Sequence, residues 1–171
     1  MPDAAPALAF LSLGSNIAPE TNIAAAVREL AAYGRVVRAS RVWETPPVGF
    51  PDQPNYLNAA VLLETTLSAP ELHDVAIAAI EHKLGRVRDP GNRNAPRTID
   101  IDIALFNREV LSVGHRTIPD PDILSRAFVA VPLAELDPDY MHPEDGRTLA
   151  EIAAALKATT PEMRLRPDVP L

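Results

Sequence analysis

The chain contains no cysteine, which excludes a disulfide framework, an iron–sulfur cluster and any thiolate zinc site. Its four histidines, His73, His82, His115 and His142, show neither His-Glu-x-x-His nor His-x-His spacing, so a histidine-based zinc site finds no support. Aromatic residues are few, at 5%, with one tryptophan, Trp43. No apolar run approaches the roughly 18 residues of a membrane-spanning helix. The first residues have no basic cluster ahead of their short apolar run, so no secretory leader is expected. Basic residues number 16 against 23 acidic ones, and the net charge of −7 argues against a general nucleic-acid or membrane-surface binder. Neither G-x-x-x-x-G-K-[ST] nor G-x-G-x-x-G occurs, which removes two common phosphate cradles. What remains is a chain of 171 residues, 47% hydrophobic and 23% charged, in keeping with one folded domain over 1–171 in a reducing cytoplasm.

Against that acidic background, the stretch 86–106, RVRDPGNRNAPRTIDIDIALF, stands apart. Arg86, Arg88, Arg93 and Arg97 are separated by Pro90, Gly91, Asn92, Asn94 and Pro96, which break regular structure. Thr98, Asp100 and Asp102 then alternate with Ile99, Ile101 and Ile103, the period of a half-buried strand. Residues i and i+2 of a strand share a face at about 3.3 Å rise per residue, so the two carboxylates start roughly 6.6 Å apart at Cα. Their oxygens can converge on one hard cation, or on two about 3.5–4 Å apart. Guanidinium is the planar fork that matches phosphate oxygens. Acidic ligands beside phosphate-binding arginines point to a nucleotide–Mg²⁺ site, whereas either feature alone fits a solvated strand face or loop.

Elsewhere, LAFLSL at 8–13 reads as a buried strand, followed by a structural turn at Gly14, Ser15 and Asn16. A helix is expected from Thr21 or Asn22 to Tyr33, stopped by Gly34. A strand over 35–43 pairs with one over 56–65 across the proline-stiffened loop TPPVGFP. Pro70, Glu71 and Gly85 frame a second helix with a buried stripe of Leu72, Val75, Ala76, Ala79 and Ile80. After the acidic strand come a turn, a short strand over 110–113 and a loop over 118–122. A helix follows from Ile123 or Ser125, bent or restarted at Pro132, and a last helix over 148–158 opens on Thr148 with Glu151 at the capping-box position. The segment 160–171 reads as irregular. The order β-α-β-β-α-β implies an α+β class with a ferredoxin-like βαββαβ sheet, largely antiparallel, with additional C-terminal helices.

Four ordered blocks carry a family resemblance: LSLGSN at 11–16, ETPPVGFPDQPNYLNAAVLLET at 44–65, GRVRDPGNRNAPRTIDIDIALF at 85–106 and SRAFVAVPLAEL at 125–136. Together they resemble 6-hydroxymethyl-7,8-dihydropterin pyrophosphokinase of folate biosynthesis. The resemblance implies Mg²⁺-dependent transfer of pyrophosphate from ATP to a pterin alcohol, with release of AMP. It implies that Asp100 and Asp102 hold two Mg²⁺ ions. It implies catalytic roles for Arg86 and Arg97, and nucleotide contacts from Glu81, Arg88, Arg93, Ile103, Arg116, Thr117 and Arg126. The pterin slot resembles one formed by Thr45, Pro46, Val48, Tyr56, Asn58 and Phe128, while Trp43 is expected in the core. A reduced pterin and ATP are then the partners of a monomeric cytoplasmic enzyme that binds neither nucleic acid nor membrane. A non-catalytic nucleotide or pterin binder is one alternative, separated by an assay for AMP. An RNA-binding ferredoxin-like module is the other, separated by salt-sensitive RNA binding.

This chain departs from the pattern at two places. Its arginine loop is one residue longer than in some members, with Asn94 where some carry an aromatic residue. Asp120 stands where the family usually has a histidine facing the phosphates. An ionised carboxylate there must turn away, pair with a cation or cap the helix that follows, and the favoured expectation is a pair with Arg116.

Overall fold

The computed structural model describes residues 5–49 and 52–171. Strand β1 spans Ala7–Ser15, two residues past the expected end, because Gly14 and Ser15 pair across to Asn58 and Leu57. Gly14 also sits opposite Asp100, so pairing on both sides overrides its weak strand propensity. Helix α1 covers Pro19–Leu30. It begins earlier than expected because Pro19 presets the first helical φ, and it stops short of Tyr33, which lies in a turn.

The expected single strand over 35–43 is two: β2, Arg35–Ala39, and β3, Trp43–Thr45. Both pair with β4, Tyr56–Thr65. Ser40 makes the break, because its hydroxyl accepts from Ala60 N at 2.8 Å in place of a ladder carbonyl. Phe50 and Pro51, inside the loop read from the sequence as proline-stiffened, lie outside the described residues.

Helix α2 runs through Ala69–Glu71, a π-helical stretch Leu72–Ile77 and Ala78–Lys83. Ser68 and Glu71 form a full capping box at its start, and Gly85 follows its end at φ +80°. The expected stripe is shifted: Val75 is 58% exposed, while Ile77 and Glu81 are buried with Leu72, Ala76 and Ile80. The wide π turn rotates the helix face, and it is this phase that carries Glu81 inward.

Strand β5, Asp100–Phe106, is followed by the hairpin β6, Leu111–Val113, and β7, Arg116–Ile118. A 3₁₀ turn, Pro121–Leu124, leads into α3, Ala127–Leu136, which passes through Pro132 instead of restarting there. Helix α4, Leu149–Lys157, opens on Thr148, whose hydroxyl accepts from Glu151 N at 3.2 Å. The segment expected to be irregular contributes a strand, β8, Arg164–Leu165.

Six strands form an antiparallel sheet in the order β5–β1–β4–β3–β8, with β2 also on β4. Apolar side chains alternate to both faces. Leu11, Leu13, Leu57, Leu63 and Ile101 pack with Ile23, Leu30, Leu72 and Ile80 of α1 and α2. Phe10, Ala60, Leu62 and Leu105 pack with Ala130, Leu133 and Ile152 of α3 and α4. The chain is therefore mixed α/β, with a mostly antiparallel sheet and four helices among the described residues. Among the described residues, no helix is long and apolar enough to cross a membrane.

A register shift at Phe10 and Leu11 inserts Ala104 as an extra residue in β5. The carbonyl of Ala104 then accepts from Asp120 N at 2.9 Å. That bond ties the loop before the 3₁₀ turn across β5, next to the two aspartates.

Candidate active site

Strand pairing assembles the centre of the site. β5 sets Asp100 opposite Gly14 and Asp102 opposite Ser12 of β1. Gly14 faces Asn58 of β4 on its other side, and Tyr56 of β4 faces Thr45 of β3. These residues open on one cavity of about 230 Å³, which Phe128 and Val129 of α3 also line. Gly14 is a wall of that space: a Cβ there would stand 3.7 Å from both Asn58 Oδ1 and Tyr56 Cδ1.

Every expected pterin contact lines this cavity: Thr45, Pro46, Val48, Tyr56, Asn58 and Phe128. The buried Asn58 amide donates to Trp43 O at 3.2 Å and to Thr45 Oγ1 at 2.8 Å. A carbonyl can only accept, so these bonds fix which end of the amide is nitrogen. Oδ1 is left facing the cavity as an acceptor. Burial raises the Tyr56 phenol above its usual range, with the Arg97 charge opposing, so the ring is neutral at physiological pH. Trp43 is in the core, as expected, with Nε1 donating to Glu135 Oε2 at 3.0 Å.

The cavity's other wall is arginine-rich, with Arg93, Arg97 and Arg126 lining it. Arg97 Nη1 meets Asp100 Oδ2 at 3.0 Å, and its Nη2 donates to Arg93 O. The backbone of Arg97 is clamped by Asn16: Arg97 N donates to Asn16 Oδ1 at 2.9 Å, and Asn16 N donates to Arg97 O at 3.1 Å. Asn16 Nδ2 reaches Gln53 Oε1 at 2.6 Å, and Gln53 Nε2 reaches Asn94 O at 2.7 Å. The arginine segment and the loop after β3 thus meet through two buried amides. Sequence reasoning assigned neither a role; Gln53 lay in a matching block without a chemistry of its own to mark it.

Two smaller cavities continue past the aspartates. One, of about 190 Å³, is lined by Ile103, Arg116, Thr117 and Asp120, together with His73 and His115. The other, of about 150 Å³, is lined by Glu81, Arg88 and Arg116. Asp102 lines all three. Of the expected nucleotide contacts, Glu81, Arg88, Ile103, Arg116 and Thr117 line these two cavities, whereas Arg93 and Arg126 line the one that holds the expected pterin contacts. His73, read only as unsuited to zinc, joins the former group from α2.

Arg86, expected to act in catalysis, is set back from these spaces. Arg86 lines none of these three cavities; its side chain is 9% exposed, held between Glu81 Oε2 at 2.7 Å and Asp100 Oδ1 at 2.8 Å. Burial opposes the Arg86 charge, but Asp100 and Glu81 more than offset that. Glu81 also accepts from Ile101 N at 3.0 Å and from Arg88 Nη2 at 3.1 Å. In this arrangement Glu81 and Arg86 orient Asp100. One expectation needs correction: Arg116 pairs with Asp102 Oδ1 at 3.0 Å and not with Asp120. Asp120 instead caps the 3₁₀ turn, its Oδ1 accepting from Asp122 N at 2.9 Å. Arg116 there offsets part of the charge that Asp100 places beside Asp102.

Loss of hydration pushes the Asp102 carboxyl up to about 8, with the Asp100 charge adding and Arg116 opposing. Asp100 and Asp102 together line two of the cavities. Among the described residues no group of three or more metal-ligating side chains gathers. That donor set suits Mg²⁺, which takes one or two carboxylates and fills its remaining positions with phosphate oxygens and water.

The sequence matches a family model, 7,8-dihydro-6-hydroxymethylpterin-pyrophosphokinase (HPPK), over residues 10–138. It is similar to the 2-amino-4-hydroxy-6-hydroxymethyldihydropteridine pyrophosphokinase of Pseudomonas aeruginosa, with 42% identity over 149 residues covering 85% of this chain and 90% of the relative. The protein of the same name from Synechocystis is 38% identical over 154 residues, covering 88% of this chain and 77% of the relative. In fold, the chain resembles the crystal structure of Plasmodium falciparum HPPK-DHPS with pterin and p-hydroxybenzoate, at a TM-score of 0.74 and 15% identity. That match covers 96% of this chain and 47% of the other, so the chain spans about half the length of that protein.

Proposed function

Because the chain belongs to the 7,8-dihydro-6-hydroxymethylpterin-pyrophosphokinase family, we propose that its cavities bind a reduced pterin and ATP on opposite sides of Asp100 and Asp102. The protein is an ATP-dependent pyrophosphokinase of folate biosynthesis. It moves pyrophosphate from ATP to the hydroxymethyl group of 6-hydroxymethyl-7,8-dihydropterin and releases AMP. The observation that carries this reading is the position of Asp102 at the junction of all three cavities.

Tyr56 and Phe128 hold the flat ring by its faces, and Asn58 Oδ1 accepts a hydrogen bond from its polar edge. Thr45, Pro46 and Val48 complete that slot. On the other side, Ile103, Thr117, Arg88 and Arg116 hold the nucleotide, while Arg93, Arg97 and Arg126 neutralise its phosphates from the cavity wall. Glu81 and Arg86 work through Asp100. The hydroxyl oxygen attacks the β-phosphorus in line as the bond from that phosphorus to the α-bridging oxygen breaks. AMP leaves with that oxygen, and the hydroxyl proton passes to solvent. Positioning and charge neutralisation supply the rate, so no dedicated general base is needed. Asp100 and Asp102 are the residues to hold two Mg²⁺ ions, which, when bound, offset the triphosphate charge and favour ionisation of the attacking hydroxyl.

The sheet order β5–β1–β4 with β3 and β2 outside supports a ferredoxin-like reading of the domain. We read the chain as a single pyrophosphokinase domain, monomeric and cytoplasmic, without nucleic-acid or membrane partners. The direct test of the activity is product identity. With ATP, Mg²⁺ and the hydroxymethyl dihydropterin, AMP should form one-for-one with a diphosphorylated pterin. ADP with a monophosphorylated pterin, or no pterin-dependent turnover, would overturn it.

A further inference from the structure

Residues 139–171 lie beyond the part of the chain that the family model matches, yet their strand β8 closes the sheet beside the pterin slot. It pairs Leu165 with Trp43 and Arg164 with Glu44, and Arg166 N donates to Val42 O at 2.8 Å. Without β8, the three-residue β3 would be an unpaired edge. β3 is also where both partners of the Asn58 amide sit, Trp43 O and Thr45 Oγ1.

The side chain of Arg166 adds a specific link. Its Nε and Nη2 fork onto Asp168 at 2.9 and 2.8 Å, which fixes the guanidinium plane. Its Nη1 then meets Glu44 Oε1 at 2.6 Å. The other Glu44 oxygen accepts from Asn55 Nδ2 at 3.4 Å. Glu44 precedes Thr45 and Asn55 precedes Tyr56, so this chain of contacts clips together both ends of the loop 46–55. Buried Met163 and Val169 anchor the segment, each in a different core cluster.

We propose that Arg166 is a positioning residue for the pterin half of the site. Held by Asp168, it fixes Glu44 and with it the mouth of the loop and the Thr45–Asn58 contact, touching neither substrate. This role rests on the pyrophosphokinase reading.

The test titrates wild type, Arg166→Ala, Arg166→Lys, Glu44→Ala and the double alanine variant separately in pterin and in ATP, reading AMP. Arg166→Ala should raise the KM for pterin about tenfold, the lower end of a charge-assisted hydrogen bond's worth. kcat and the KM for ATP should stay within about twofold. Arg166→Lys should recover part of the loss, and the double variant should be no worse than Arg166→Ala alone. No AMP from wild type would overturn the activity itself. Normal wild-type turnover with an unchanged pterin KM in Arg166→Ala would overturn the positioning role alone. So would a joint fall in kcat and in affinity for both substrates with a lowered melting temperature, which is general loosening.

Discussion

The wall of expected pterin contacts and the arginine segment line the same cavity but are held by different forces. Thr45, Tyr56 and Asn58 stand on paired strands, and the Asn58 amide is fixed by two buried hydrogen bonds. The segment 86–98 has no helix or strand; it is held by the ion pairs of Arg86, Arg88 and Arg97 and by the Asn16 clamp. Arg88 is 69% exposed at its side chain, and Val87 is 81% exposed. A pre-shaped slot suits a rigid heterocycle. A charged segment on few fixed contacts suits a triphosphate, whose charge can reorganise the ion pairs that hold the segment.

The largest effects are expected where the two halves meet. Asp100→Ala or Asp102→Ala should lower AMP formation by about 10²–10³-fold, the scale of losing one preorganised electrostatic group. Asp102→Asn should not lower the melting temperature, because burial already disfavours its charge. Near-normal turnover in either alanine variant would remove the aspartates from the site.

Next in size is Glu81. Glu81→Ala leaves Arg86 with Asp100 alone and orphans the Ile101 amide, and chemical denaturation should show a loss of roughly 3 kcal/mol, as for a broken buried pair. An unchanged midpoint would mean that the arginine segment does not depend on this anchor.

Salt should separate the halves more gently. Raising ionic strength from about 0.01 M to about 1 M shortens the screening length from roughly 30 to 3 Å, so nucleotide affinity should fall severalfold while pterin affinity holds. Equal losses would show that both halves bind through charge.

The smallest effect belongs to Asp120. Asp120→Asn keeps the cap and should be nearly silent, whereas Asp120→Ala should cost about 1 kcal/mol of stability. A large activity change in Asp120→Asn would mean that the carboxylate charge itself acts on the nucleotide.

The same contrast explains what could be read in advance. Asp100 and Asp102 were legible because a period of two places alternate residues on one face whatever surrounds the strand. That Thr45, Pro46, Val48, Tyr56, Asn58 and Phe128 would share one cavity followed from the family resemblance, not from pattern. The break at Ser40 was not, since a hydroxyl intercepting a ladder donor leaves no mark on hydrophobic alternation. Nor was the π stretch of α2: Leu72, Val75, Ala76, Ala79 and Ile80 fit an ordinary helix face, and only packing selects Ile77 and Glu81 instead. β8 is two residues long and pairs with β3 over more than a hundred positions. The partner of Arg116 was misjudged because Asp120 is nearer in sequence, whereas the fold sets Asp102 of β5 within 3.0 Å of Arg116.

Calorimetric titration of Asn58→Ala and Arg97→Ala, each with the pterin and with a non-hydrolysable ATP analogue plus Mg²⁺, tests the division most directly. Asn58→Ala should weaken pterin binding about tenfold or more, the cost of an unpaired polar contact, and leave the nucleotide unaffected. Arg97→Ala should weaken the nucleotide and leave the pterin within about twofold, the outcome expected if its guanidinium serves phosphate as proposed. Loss of both ligands in either variant would contradict two separately built halves meeting at Asp100 and Asp102.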